Sequence, residues 1–316
     1  MSCIVVFSGG TVGTKLVQGL QQLVPAEDLS VIVNTGDDLE WWGLHVSPDI
    51  DSVLYGLSGL LSSERGWGVN ADSFRCLQQM KQLGEPSWFS LGDLDLATHL
   101  VRTSLLHNGR TLTETTAELA QRMGVRTRVL PMSDDRVSTI LQTEKGTLYF
   151  QEYFVRERHS VALDGVEFAG AEQACPAPGL VEAIHAADAI VFAPSNPVTS
   201  IGPILAVSGI RKALREAPGP VVAVSPIIGS EAVSGPAASL MRMKGWASTI
   251  AGVAQAYEDF LDVLVVDRAD EASARVLNSD ALRVVSSNTL MRSLEDKIEL
   301  ARLVLDSAMN VEHQRA

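Results

Sequence analysis

The stretch Ile4-Val5-Val6-Phe7-Ser8-Gly9-Gly10-Thr11-Val12-Gly13-Thr14-Lys15 decides the architecture. A continuous apolar run gives way to small, glycine-rich residues and then to a helical pattern over Lys15–Leu23. That order reads as a strand buried on both faces that turns directly into a helix. The same grammar recurs along the chain. Strands are predicted at Cys3–Phe7, Ser30–Asn34, Arg126–Pro131, Val137–Thr143, Leu148–Phe154, Ala189–Ala193, Val221–Val224 and Val263–Asp267. Helices are predicted at Ser52–Leu61, Ala71–Leu83, Leu94–Leu106, Leu112–Met123, Leu180–Ala187, Ile204–Ala217 and Ser293–Met309.

Strand–helix alternation at the start and again from Ala189 predicts an α/β fold with a doubly wound, mostly parallel sheet. Between about residues 51 and 124 the pattern is helix after helix. We read it as a mainly helical insertion into one domain, whose core is built from about 1–50 and 125–316. The run Arg126–Phe154 has period-2 character and suits a hairpin or a sheet edge.

Composition narrows the function. The chain has 316 residues, 46% hydrophobic, with a formal net charge of −13. That is too apolar for disorder, and too acidic for a nucleic-acid binder that works through phosphate contacts. No apolar run approaches membrane-span length, and Met1–Phe7 has no basic segment of the secretory kind. Cys3, Cys76 and Cys175 are scattered, which suits reduced thiols in a cytoplasmic protein rather than a zinc ribbon or a disulfide framework.

Four of the predicted strands end in small or polar residues: Ser8–Lys15, Asn34-Thr35-Gly36-Asp37-Asp38, Pro194-Ser195-Asn196-Pro197 and Ser225-Pro226-Ile227-Ile228-Gly229. In an open parallel sheet these turns share the carboxyl edge, where ligands bind. The first suits phosphate, since glycines admit close backbone approach and a helix N-terminus follows. It matches neither the dinucleotide fingerprint nor the Walker loop. Asp37 and Asp38 have three readings: a ribose contact, magnesium ligation, or helix capping. Asp51 reads as a helix N-cap. Ser133-Asp134-Asp135 reads as a structural turn, and Trp41-Trp42 and Trp67 as core anchors or stacking platforms. The histidines lack metalloprotease spacing, and Ser195 is not in a nucleophile elbow.

Taken with Ser47-Pro48-Asp49-Ile50-Asp51, Arg65-Gly66-Trp67-Gly68, Leu91-Gly92-Asp93-Leu94-Asp95-Leu96-Ala97-Thr98-His99, Leu130–Asp135, Phe150–Arg156 and Pro194–Ile201, these turns resemble the CofD family. Its members are 2-phospho-L-lactate transferases of coenzyme F420 biosynthesis, and the actinobacterial ones are called FbiA. The resemblance spans nearly the whole chain. It implies a Rossmann-like core with a helical subdomain and a homodimer. It also implies a Mg²⁺-dependent transfer of a phospho-three-carbon acid (2-phospholactate, phosphoenolpyruvate or 3-phosphoglycerate) from its guanosine diphosphate derivative. The acceptor would be the terminal ribityl hydroxyl of the deazaflavin Fo, and GMP would leave.

Within that reading Gly9, Gly10, Thr11, Gly13, Lys15, Ser195 and Asn196 are the expected nucleotide contacts. Asp49 and Asp37 are the expected catalytic and metal-binding carboxylates. Asp49, Ser90, Asp93 and His99 are expected to contact Fo. A rival reading is a non-catalytic, nucleotide-sugar-binding regulator of the related gluconeogenesis-factor branch. A nicotinamide oxidoreductase suffers from the missing fingerprint.

Overall fold

The computed structural model describes residues 3–229, 231–233 and 235–311. Seven strands form its central sheet: β1 (Ile4–Ser8), β2 (Leu29–Val33), β3 (Arg128–Pro131), β4 (Ala189–Phe192), β5 (Val221–Val224), β6 (Val263–Asp267) and β7 (Arg283–Ser287). Every pairing is parallel, and the spatial order is β7-β6-β5-β4-β1-β2-β3. This is a Rossmann-like α/β fold, and its order reverses between β1 and β4.

The continuous apolar runs have a direct cause. Successive side chains of β1 point to opposite faces, and both faces are covered. Ile4 and Val6 pack with α1 (Thr11–Leu20), α2 (Pro48–Ser58) and the C-terminal helix Leu294–Met309. Val5 and Phe7 pack into the opposite layer with Leu180, Ile201 and Phe260. There the Phe7 ring stacks on Phe192 of the neighbouring strand, with centroids 4.7 Å apart.

Between β2 and β3 lie a short hairpin (Leu39–Trp41 and Leu44–Val46) and then α2, α3 (Arg75–Gln82), α4 (Asp93–His107) and α5 (Leu112–Arg122). A separate antiparallel sheet joins Gly146–Tyr149, Ser138–Thr143 and Leu163–Ala169. No helix among the described residues is long and apolar enough to cross a membrane.

Several elements depart from the sequence expectation. The predicted strand at Leu148–Phe154 ends at Tyr149, and Glu152–Arg156 winds into a helical turn that buries Tyr153. The predicted helix Ile204–Ala217 is two helices, Ile201–Ala206 and Ile210–Arg215, broken at Gly209 with φ +90°. Strand Leu163–Ala169 was missed because Asp164 and Gly165 interrupt its pattern; it forms by pairing with Ser138–Thr143. Edge strand β7 was also missed, as were Ala237–Met243, Ile250–Ala256 and Glu271–Leu277, each too short for periodicity to register.

Candidate functional site

The carboxyl ends of β1 and β4 meet at the reversal of strand order. The Gly9 N–H donates to Ser195 Oγ at 3.0 Å, tying the two turns together. Beside them opens a cavity of about 550 Å³. One wall of it is Gly10, Thr11, Gly13, Ser195 and Asn196. The N-terminus of α1 therefore borders the cavity, and so does that of α2 through Pro48 and Asp49. Unpaired N–H groups at both helix ends favour an anion. Trp67, Phe89, Phe150 and Phe154 supply an apolar wall suited to a planar ligand.

The glycines have separate reasons. A Cβ on Gly10 would collide with the Asp49 carboxylate, and one on Gly13 would lie 2.7 Å from Ser195 Oγ. Gly9 does not line the cavity; a Cβ there would stand 2.5 Å from Ser200 Cβ. The Gly9 N–H is already engaged by Ser195, so its role is loop closure rather than ligand contact.

Asp37 and Asp49 both line the cavity. Asn34 holds Asp49 with a 3.0 Å bond from Nδ2 to Oδ2, while its own Oδ1 accepts the Gly36 N–H at 2.8 Å. Asp49 is partly exposed but recessed. Burial pushes its carboxyl up to about 7, with Asp38 adding repulsion while Asn34 and the Gly10 backbone oppose the rise. Asp37 is also raised well above the carboxylate range, by burial first and then by the charge of Asp49. Its Oδ1 is buried without a hydrogen-bond partner. Two crowded carboxylates with an orphaned oxygen are short of positive charge, and a hard divalent cation takes such oxygens. The residues fit Mg²⁺.

Asp38 has a different task. Its Oδ2 accepts from Ser47 Oγ at 2.7 Å and lies 3.0 Å from His45 Nε2, and it does not line the cavity.

The opposite wall holds a buried polar cluster. Arg102 on α4 is fully buried and grips both oxygens of Asp51 on α2. Its Nη1 also lies 3.1 Å from His99 Nδ1. His99 Nε2 is 3.3 Å from Asp95 Oδ1, which accepts from Tyr55 Oη at 2.7 Å. Burial, then the charges of Asp51 and Asp95, keeps the Tyr55 hydroxyl protonated far above its usual range. Asp51, Asp95 and His99 bring ligand atoms within 4.8 Å of one another. The Arg102 guanidinium already takes both Asp51 oxygens, so a cationic side chain stands where a metal ion would.

The expected site residues divide accordingly. Gly10, Thr11, Gly13, Asp37, Asp49, Ser90, His99, Ser195 and Asn196 are brought together around one cavity. Lys15 is not on its wall; the charge of Lys15 is felt instead by Lys297 on the C-terminal helix.

Asp93 is not on the wall either. It accepts from Ser73 Oγ and from the Arg75 and Cys76 N–H groups, capping α3. Asp72 returns the contact by accepting from Leu94 N at 2.8 Å and Asp95 N at 3.0 Å, capping α4. Asp93 thus staples two helices and lies off the cavity wall. Asp51 is no N-cap: Ser47 holds that place, and Asp51 lies within α2 as the partner of Arg102.

Trp41 is buried against Trp88 and Phe89, whereas Trp67 reaches the cavity. The reading of Ser133–Asp135 as a turn agrees with its bonds to Cys175 and to the Thr113 N–H. Sequence reasoning passed over Tyr55, Asp95 and Arg102. The spacing of Asp95, His99 and Arg102 along one helix face was the available signal.

Comparison with known proteins agrees with the geometry. The family model described as 2-phospho-L-lactate transferase CofD matches residues 4–301. A 2-phospho-L-lactate transferase of Methanococcoides burtonii is 42% identical over 98% of this chain and 100% of its own length. A phosphoenolpyruvate transferase of Streptomyces griseus is 43% identical over 98% of this chain and 99% of its own. A UPF0052-family protein of Bacillus halodurans shares the fold, with TM-score 0.66 at 18% identity over 96% of this chain and all of that one. A site at the strand-order reversal and a family match over almost the whole sequence lead to one conclusion: the chain belongs to the CofD 2-phospho-L-lactate transferase family.

Proposed function

We propose that this protein transfers a phospho-three-carbon acid from its guanosine diphosphate derivative to the deazaflavin Fo in coenzyme F420 biosynthesis. The carrying observation is the cavity at the strand-order reversal, where Asp49 shares the wall with the N-terminus of α1. A carboxylate there can take a hydroxyl proton.

In the reaction, the ribityl hydroxyl oxygen forms a bond to the phosphorus that carries the acid. The bond from that phosphorus to the bridging oxygen breaks, and GMP leaves with the electron pair. Asp49 accepts the hydroxyl proton. The Gly10–Gly13 turn and Ser195 hold the diphosphate, and the aromatic wall takes the deazaflavin. Asp37 and Asp49 are the residues that would hold Mg²⁺, which when bound supplies positive charge against the diphosphate. The relatives carry names for two different acids at nearly equal identity, so the proposal is for their shared class. The homodimer and the cytoplasmic location rest on the family resemblance.

The test is a mass-spectrometric product assay with Mg²⁺, Fo and the lactyl, enolpyruvyl or glyceryl guanosine diphosphates in turn. One mass-shifted Fo product with stoichiometric GMP supports the proposal and names the acid. Absence of any adduct, with no Fo binding, favours the regulatory reading.

A further inference from the structure

Among the described residues that line the cavity, Arg65 is the one arginine or lysine. Its loop is pinned at both ends. The Leu60 and Leu61 N–H groups donate to Tyr55 O at the C-terminal end of α2, and Leu61 bridges to Val69. Asp49 and Tyr55 are six residues apart on α2, so this loop attaches about 9 Å along the helix from the end that Asp49 occupies.

The Arg65 guanidinium rests against two rings, with Cζ 5.5 Å from the Trp67 centroid and 5.2 Å from that of Phe74. Its Nη2 donates to Val69 O at 2.6 Å, and its Nε is buried without an acceptor. Its Nη1 is neither buried nor bonded among the described residues, and so is the open donor. No carboxylate there pairs with this cation. Asp51 is taken by Arg102, Asp95 accepts from Tyr55, and Asp37 and Asp49 crowd each other instead. Burying a guanidinium nitrogen without an acceptor costs the fold. The rings hold the cation in place but supply no oxygen to its open N–H groups.

We propose that Arg65 is a ligand-binding residue whose Nη1 takes an oxyanion of the bound ligand at the Trp67 end of the cavity. Two groups of the function proposed above carry such an oxygen: the carboxylate of the three-carbon acid, and the ring hydroxyl of the deazaflavin once ionised. That assignment rests on the proposed function; the preference for an anion does not.

The test compares two probes of the same shape on the full chain, 2-naphthoate and 2-naphthamide, by calorimetric titration at pH 8 with chelator. Wild type is expected to bind the carboxylate about tenfold more tightly than the amide, the low end for a hydrogen bond to a charged group at a half-open site. Arg65→Met is expected to abolish that preference while leaving the affinity for 2-naphthamide within about twofold, which shows the variant's cavity intact. No preference in wild type overturns the proposal. So does a preference that persists in Arg65→Met, since the anion then sits at the helix N-termini, and so does an equal loss of both probes, which makes Arg65 a structural residue.

Titrations of Fo, the lactyl guanosine diphosphate and GDP then separate the two sources. A tenfold loss in Arg65→Met for Fo alone assigns the ring oxygen. The same loss for the lactyl donor but not for GDP assigns the carboxylate. An equal loss for GDP puts Arg65 on the diphosphate and overturns its placement. Failure of wild type to bind any of the three removes the proposed function, while the naphthalene pair still decides whether Arg65 holds an anion.

Discussion

Replacing Asp49 by asparagine is expected to stop the reaction and stabilise the fold at the same time. The carboxyl moves from 3.8 in the unfolded chain to about 7 in the folded one, chiefly through burial. Between those values the folded state holds the proton more tightly than the unfolded state does. Stability therefore falls as pH rises through that window. The penalty is absent below 3.8 and fully developed above 7. Each pH unit is worth 1.36 kcal/mol, so the ionised side chain costs the fold about 4 kcal/mol at pH 8. Asparagine never ionises, but its amide cannot accept from both Asn34 and the Gly10 backbone, and losing one such bond returns about 1–2 kcal/mol. The net gain at pH 8 is about 2–3 kcal/mol.

For 316 residues, an unfolding entropy of about 2.1 cal/mol/K per residue turns that gain into roughly 3–5 °C. Calorimetry of both proteins with chelator at pH 8 and pH 5 measures it, with the difference expected to shrink at the lower pH. In a single-turnover product assay the same variant is expected to lose about 10²–10⁴-fold in rate, the usual worth of a positioned base. A lower unfolding temperature for Asp49→Asn at pH 8 would refute the electrostatic reasoning. An unchanged rate would take Asp49 out of the mechanism.

Three further outcomes are expected. Millimolar Mg²⁺ should raise the unfolding temperature of wild type at pH 8 and have no such effect on the Asp37→Asn/Asp49→Asn double variant; equal shifts at matched ionic strength would show that the carboxylates do not hold the ion. Arg102→Met should destabilise the fold by about 3–5 kcal/mol by leaving Asp51 buried and unpaired, and Asp51→Leu in the same chain should recover most of it in urea titrations; a double variant as unstable as the sum of the singles would deny their coupling. Asp72→Ala should cost about 1 kcal/mol by uncapping α4, while Asp93→Asn should leave Fo affinity unchanged; a tenfold weaker Fo constant would return Asp93 to the site.

The sequence determined the sheet because burial on both faces leaves a local mark. Strands such as β1, β2 and β4 must be apolar at every position, so their runs are visible without knowing their neighbours. It determined one wall of the cavity for a related reason: turns after parallel strands emerge at one edge, so the strand pattern alone brings Gly10, Thr11, Ser195 and Asn196 together.

Charged residues leave no such mark, because their role depends on what faces them. Asp51, Asp93 and Asp95 look alike in a string of acidic helix starts. Only packing separates them. Asp93 meets the first N–H groups of α3 and becomes a cap, while Asp51 meets the fully buried Arg102. Lys15 carried the right charge beside the glycine turn, yet it lies toward Lys297 and away from the cavity. The buried polar cluster of Tyr55, Asp95, His99 and Arg102 exists only where α2 and α4 pack together, forty residues of chain separating Tyr55 from Asp95. Electrostatic interaction depends on distance and burial, and neither is written in the order of residues.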